Sequence, residues 1–325
     1  MNEPFLIIMV GLPGSGKSTF AKTIYSEIDG KRVNPVIHSS DDLREELYGN
    51  AAIQGDNNKL FSELHKRIRS DLLQNKNVIY DATNISKKNR IAFLREMRKI
   101  KCHPICFVMA TEYNACLFNN QQRERKVPED VIHRMFINFQ PPHESEGFEN
   151  INYYFTYLNE RNELVEKEPN NKYALSNYFK IANNFDQENS YHTFSLGKHC
   201  TETGKYIQDK KPNDFWLLMA ALLHDVGKLD TKTKFNSRGV EDGEYHYYNH
   251  NCAGSYSSMF YFNNIERVWN KPCPMSDVTN YIYYHMHPYL AWKQSERAKE
   301  RDKKLLGDKM FNDIMLLHEA DLAAH

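Results

Sequence analysis

The chain has 325 residues, 41% hydrophobic and 26% charged, with 42 Lys and Arg balanced by 42 Asp and Glu. That length predicts about two domains, each long enough to bury a core without cross-links. The composition excludes a disordered chain and a uniformly basic nucleic-acid binder, but leaves room for a local basic groove. The longest apolar runs, Phe5–Val10 and Leu217–Leu223, fall far short of the ~18–20 residues that span a bilayer. No basic region precedes the first run, so neither a signal peptide nor a membrane anchor is expected. The 6 cysteines, at positions 102, 106, 116, 200, 252 and 273, form no Cys-x-x-Cys pair. They read as reduced thiols of a cytoplasmic protein. Most of the 14 histidines lie after residue 190. Histidine is the commonest metal ligand, so the two halves differ in chemistry.

In chain order, Phe5–Val10 predicts a strand buried on both faces of a parallel sheet. It runs into Gly11-Leu-Pro-Gly14-Ser15-Gly16-Lys17-Ser18-Thr19, the G-x-x-x-x-G-K-[ST] P-loop. Its backbone N–H groups would cradle the phosphates of ATP, Lys17 would reach the β- and γ-phosphates, and Ser18 would ligate Mg²⁺. Phe20 to Tyr25 should continue as a helix with its N-terminus toward the phosphates. The stretch from Val36 to Arg44 predicts a second strand ending in the adjacent carboxylates Asp41 and Asp42. A carboxylate there can accept the proton of an attacking hydroxyl. Asn77 to Asp81 predicts a third strand, with Asp81 placed to hold Mg²⁺ through water. A fourth is expected within 101–110. Arg123, Arg125 and Lys126 precede a helix begun by Pro128, and would close over ATP as a lid that neutralises developing charge. Lys87 to Arg90 reads as a solvated helix face.

Residues 5 to about 157 resemble the P-loop kinase domain of phage-type polynucleotide 5′-hydroxyl kinases. The matching pieces are Gly11–Ser18, Ser40-Asp41-Asp42-Leu-Arg44, Asp81-Ala-Thr-Asn84 and Arg123 to Pro128. The resemblance implies that Asp41 is the general base and that Arg44 contacts the acceptor's 3′ phosphate. Arg123 corresponds to the second of two lid arginines, and the first falls on Asn119.

Pro141 to Phe148 is turn-rich, and Ile151 to Tyr157 resembles the closing strand of the kinase sheet. The domain boundary is therefore set near 165, giving an α/β domain over 1–165 and a second domain over 166–325. In the second, Leu217 to Lys228 is an apolar helix ending in His224-Asp225, with glycine breaking it at 227. Burying such a pair is unfavourable unless something neutralises it, which a divalent cation does.

His224-Asp225-Val-Gly-Lys228 resembles the core of the all-α HD phosphohydrolase superfamily. Its ligand order is met by His199, His224, Asp225 and Asp321. His250 and His285 match the two-metal variant, bridged by the aspartate, with His287 a rival to His285. Such ligands suit Mn, Fe, Co, Ni or Zn rather than Ca. The resemblance places Lys228 near the substrate phosphate. His192, His246, His318 and His325 read as supporting or surface residues. Tyr245–Tyr248 and Tyr281–Tyr284 read as core packing, and 297–304 as a solvated basic face.

A kinase and a phosphohydrolase in one chain make sense on the two ends of one broken strand. The resemblance implies a bifunctional nucleic-acid end-healing enzyme, RNA favoured over DNA, that phosphorylates 5′-hydroxyls and removes 2′,3′-cyclic or 3′-phosphates before a ligase acts. Two other readings are open: a small-molecule or nucleoside kinase fused to an HD nucleotidase, and an HD phosphohydrolase gated by ATP.

Overall fold

The computed structural model describes all residues except 1–2, 25, 29–30, 54, 160, 162, 167–170, 191–192 and 325. Tyr25, His192 and His325, singled out above, lie outside the described residues. The chain divides into two compact units, one of Met1–Met135 with Pro142–Glu166, the other of Phe136–Pro141 with Lys167–His325.

The first unit opens with β1 (Phe5–Val10), α1 (Lys17–Ala21), the hairpin strands β2 (Ser26–Ile28) and β3 (Lys31–Val33), and β4 (Val36–Ser39). It continues through α2 (Ser40–Tyr48), α3 (Asn57–Leu73), β5 (Val78–Asp81), α4 (Lys87–Met97), β6 (His103–Thr111), α5 (Tyr113–Gln121), α6 (Glu129–Phe136), β7 (Asn150–Leu158) and β8 (Leu164–Glu166). The main sheet has the order β4-β5-β1-β6-β7-β8. All its pairs are parallel except β7 with β8. Central β1 is buried throughout after its first residue, as its unbroken apolar run requires. The loops after β1, β4 and β5 share the carboxyl edge of the sheet, where open α/β sheets bind ligands.

Three local expectations are corrected. The helix after the P-loop stops at Ala21. The β-branched pair Thr23-Ile24 follows, and Thr23 Oγ1 donates to Phe20 O at 2.8 Å, competing with helix propagation. The second strand ends at Ser39 rather than at the carboxylates. Ser39 caps α2 by accepting from the N–H groups of Asp41 and Asp42, which places both acids in the first helical turn. Lys87 and Arg90 are buried rather than solvated. Arg90 Nε and Nη2 donate to Glu146 Oε2 and Oε1 at 2.8 and 2.7 Å, a forked pair with both side chains buried.

The second unit is helical. It comprises α7 (Leu175–Ala182), α8 (Leu196–Lys210), α9 (Phe215–Leu223), α10 (Lys228–Thr231), an antiparallel ribbon of β9 (Thr233–Phe235) and β10 (Glu241–His246), then α11 (His250–Trp269), α12 (Met275–Tyr284), α13 (Ala291–Gln294), α14 (Glu296–Leu306) and α15 (Asp308–Ala323). The ribbon departs from an all-α expectation. Helix α9, apolar nearly all round, sits in the core and packs against α8 and α12. Gly227 marks a close approach: a Cβ there would lie 2.0 Å from His250 O and 2.4 Å from Gly254 N. The start of α11 is thereby seated against the chain that follows the His-Asp pair. All 6 cysteines are free. Among the described residues, no helix is long and apolar enough to cross a membrane.

Candidate active sites

In the first unit, the loop between β1 and α1 is clamped from several sides. Gly11 N donates to Thr83 O at 3.0 Å. Asn84 Nδ2 donates to Met9 O, and Thr111 Oγ1 to Ser15 O, both at 2.9 Å. Gly14 has φ 79° and faces Cys116 O so closely that a Cβ would lie 2.2 Å from it. Only glycine meets both demands. Asn119 donates from Nδ2 to Gly14 O at 2.9 Å, so the residue at the expected lid-arginine position fastens the loop instead.

Lys17 is buried at the start of α1 and donates from Nζ to Leu12 O at 2.7 Å. Burial pulls its ammonium below the ordinary lysine range, opposed by Asp81. Burial raises Asp81 above the usual carboxylate range, opposed by a hydrogen bond to Ser18 and the charge of Lys17. Ser18 and Asp81 are thus hydrogen-bonded to each other, close enough to share one Mg²⁺. Ser18 and Thr19 are exposed.

The expected lid and the expected base meet. Arg125 Nη1 lies 2.8 Å from Asp41 Oδ1, and Arg123 Nη2 lies 3.9 Å from Asp41 Oδ2. Lys126 is exposed. Arg44 is buried, with Nη1 on Ile53 O at 3.4 Å and Asn57 Oδ1 at 3.3 Å, so its guanidinium is engaged between α2 and α3.

In the second unit, six buried residues from five segments converge. One group is His199 from α8, His224 after α9 and Asp321 from α15. The other is Asp225, His250 at the start of α11 and His285 at the end of α12. The ligand atoms of each group lie within 4.8 Å of one another. Asp225 joins them. Its Oδ2 is 3.5 Å from His199 Nε2 and 3.4 Å from His224 Nε2, while its Oδ1 is 3.1 Å from His250 Nε2 and 3.5 Å from His285 Nε2. Asp321 Oδ1 closes the first group at 3.0 Å from His199 Nε2.

All four imidazoles are turned by the backbone. Nδ1 of His199, His224, His250 and His285 faces the carbonyls of Ala324, Ala221, Tyr247 and Ile282 at 3.1, 2.8, 2.7 and 2.6 Å. A carbonyl only accepts, so each Nδ1 carries the proton and each Nε2 presents a lone pair. His199 and His224 then bring two Nε2 atoms to 3.2 Å, as do His250 and His285. Facing lone pairs repel unless a positive charge joins them. Burial opposes charge here, yet Asp225 holds His224 well above the ordinary imidazole range. Lys228 and His224, against the same burial, hold Asp225 well below the carboxylate range. The donor set fits a pair of divalent transition-metal ions.

Lys228, four residues past His224, is buried and lies 2.7 Å from Asp225 Oδ2. Its second partner is Gln187 Oε1, also at 2.7 Å. Gln187 in turn accepts at its backbone carbonyl from Tyr247 Oη at 2.7 Å. Tyr289 Oη donates to Asp321 Oδ2 at 2.8 Å, and its ring is packed by His318. Gln187 and Tyr289 escaped sequence reasoning, because neither sits in a motif nor at a telling spacing. His287 packs in tilted ring contacts with Tyr283, Tyr284 and Trp292 and is absent from both ligand groups.

Comparison with known proteins covers the first unit most closely. Residues 6–142 match the AAA domain family. An L-seryl-tRNA(Sec) kinase from Methanococcus maripaludis is 31% identical over 144 residues, 42% of this chain and 53% of that protein. The chain thus spans about half the length of this curated relative. Among solved structures, a gluconokinase from Sinorhizobium meliloti 1021 covers 48% of this chain and 84% of its own, at 15% identity and a TM-score of 0.34. The Pnkp1/Rnl/Hen1 RNA repair complex includes a chain covering 59% of this one and 54% of its own, at 18% identity and a TM-score of 0.36. The first unit is a P-loop kinase-like domain, which implies ATP and Mg²⁺ binding.

Proposed function

We propose that the chain is a bifunctional end-healing enzyme, with an ATP-dependent 5′-hydroxyl kinase in the first unit and an HD-type phosphohydrolase in the second. The observation that carries the reading is the division of Asp225, one carboxylate oxygen toward each of two buried ligand groups. A strand break that leaves a 5′-hydroxyl and a 2′,3′-cyclic or 3′-phosphate presents one substrate for each unit. The relative named for a tRNA-borne acceptor supports RNA over DNA. A ligase acting after both steps is the implied partner.

In the kinase, the P-loop amides and Lys17 would hold the β- and γ-phosphates of ATP, and Ser18 with Asp81 would hold Mg²⁺, which neutralises charge on the transferring phosphate. Asp41, in the first turn of α2, takes the proton of the attacking hydroxyl. Arg123 and Arg125 leave Asp41 for the transferring phosphoryl group, where their charge is worth most at the transition state. Arg44 fixes the rim between α2 and α3 on which the acceptor's 3′ phosphate would rest.

In the phosphohydrolase, His199, His224, Asp321 and one oxygen of Asp225 would hold one divalent ion, and His250, His285 and the other oxygen a second. When bound, such ions polarise a phosphoryl oxygen and bring the pKa of a water toward 7. The protein's part is orientation. Backbone carbonyls fix four imidazoles, Tyr289 fixes Asp321, and Gln187 holds Lys228 ready to take a phosphate oxygen.

The test is transfer from γ-labelled ATP to 5′-hydroxyl RNA, 5′-hydroxyl DNA, nucleosides and seryl-tRNA, run beside release of phosphate from 3′-phosphate RNA with Mn²⁺. RNA labelling with phosphate release supports the reading. Transfer confined to nucleosides or to seryl-tRNA moves the kinase to that acceptor.

A further inference from the structure

The four tyrosine and histidine rings at 245–248 have occupations that separate them. Tyr245 is half-buried under Lys232, whose Nζ lies 4.2 Å from the ring centroid. Tyr247 faces Lys228 with its ring and Gln187 with its hydroxyl. Tyr248 is 44% exposed, so it serves no core. It stacks on His246 with centroids 5.4 Å apart and planes 12° from parallel. His246 is pinned from below by Asp242, with Nε2 2.9 Å from Oδ1.

We propose that the His246–Tyr248 stack is a platform for the nucleobase of the nucleotide whose phosphate enters the cluster around Asp225. The proposal rests on the phosphohydrolase reading and names the part of the substrate that the ligand cluster leaves unread. Tyr248 precedes the ligand residue His250 by two positions, at most about 7 Å of chain. Asn249 between them is left-handed, φ 58°, which turns the chain from the exposed stack into the buried helix start. The other end of the ribbon is tied to the same centre, since β9 follows directly on the helix that carries Lys228. Platform and phosphate-holding groups are thus one nucleotide's reach apart. An aromatic face accepts any base, because every base offers a π-face. The ligand class is therefore a nucleotide 3′ end without base preference.

The experiment compares adenosine 3′-monophosphate with glycerol 2-phosphate, which has a phosphate and no ring, on wild type, Tyr248→Ala and Tyr248→Phe loaded with Mn²⁺. In Tyr248→Ala the preference for the nucleotide over glycerol 2-phosphate should fall about 10- to 100-fold, through KM, with metal content at the wild-type level. Tyr248→Phe should restore it. An unchanged preference, or a Phe variant that behaves like Ala, overturns the platform. If wild type hydrolyses neither compound, release of phosphate from 3′-phosphate RNA decides the phosphohydrolase reading separately, and titration calorimetry with adenosine 3′-monophosphate decides the platform. Binding weakened by the same factor in Tyr248→Ala sustains it, and absent or equal binding overturns it.

Discussion

Asp225 has two oxygens and two sets of neighbours, which gives its replacement a different effect from that of the residues around it. Asp225→Ala removes a donor from both groups and should abolish nearly all tight metal binding. His250→Ala strips one group and should retain about half the metal of wild type. Elemental analysis after dialysis against saturating Mn²⁺ separates the two, and equal metal in His250→Ala and wild type would return His250 to a packing role. A second residue-scale prediction concerns Asp313, fully buried on α15. It accepts from Lys211 Nζ, from Lys309 Nζ at 2.9 Å and from Tyr281 Oη at 2.9 Å. Burial pushes its carboxyl up, but the two ammonium groups and the hydroxyl more than offset this and leave it below the usual range. A depressed folded pKa gives stability that is present above the unfolded carboxylate value, near 4, and lost as pH falls below it. Asp313→Asn should therefore cost about 1–3 kcal/mol at pH 7 and less at pH 3, as urea unfolding at the two values will report.

At the scale of elements, Gly227 carries a prediction that the ligands do not. Its Cα is pressed against the backbone of α11 at His250 and Gly254. Gly227→Ala should push the start of α11 outward, lowering occupancy of the His250 group and leaving the His199 group in place. The check is metal content together with a circular dichroism spectrum; loss of both metals with the helices intact would contradict it. The elements also mark where sequence reasoning reached and where it stopped. β1 and α9 are legible because unbroken apolar runs have one good solution, burial on all sides, and the P-loop because its glycine, lysine and serine spacing is specific to phosphate binding. Burial cost in sequence points to the His224-Asp225 pair alone; the grouping of His199, His250, His285 and Asp321 with it comes from the resemblance to HD phosphohydrolases, and the fold brings these residues together. Arg90 reads as solvated in sequence because its partner Glu146 lies 56 positions away. Gln187 and Tyr289 act through contacts with residues 32 to 60 positions away, made only in the folded chain. Tyr248 reads as core in sequence because a tyrosine-rich run does not say which ring faces out; the fold leaves it 44% exposed.

The whole molecule combines a P-loop kinase-like unit with a helical unit whose buried histidine–aspartate cluster is built from different residues throughout. No residue proposed for one chemistry is drawn from the other unit, so the two activities should separate cleanly by mutation. The decisive measurement follows both ends of one RNA that carries a 5′-hydroxyl and a 3′-phosphate, with γ-labelled ATP, Mg²⁺ and Mn²⁺ present. Wild type should label the 5′ end and release the 3′ phosphate. Lys17→Ala should lose labelling by at least about 100-fold and still release phosphate, and Asp225→Ala should do the reverse. A wild type that heals neither end, or either variant losing both activities while folded, would contradict the account.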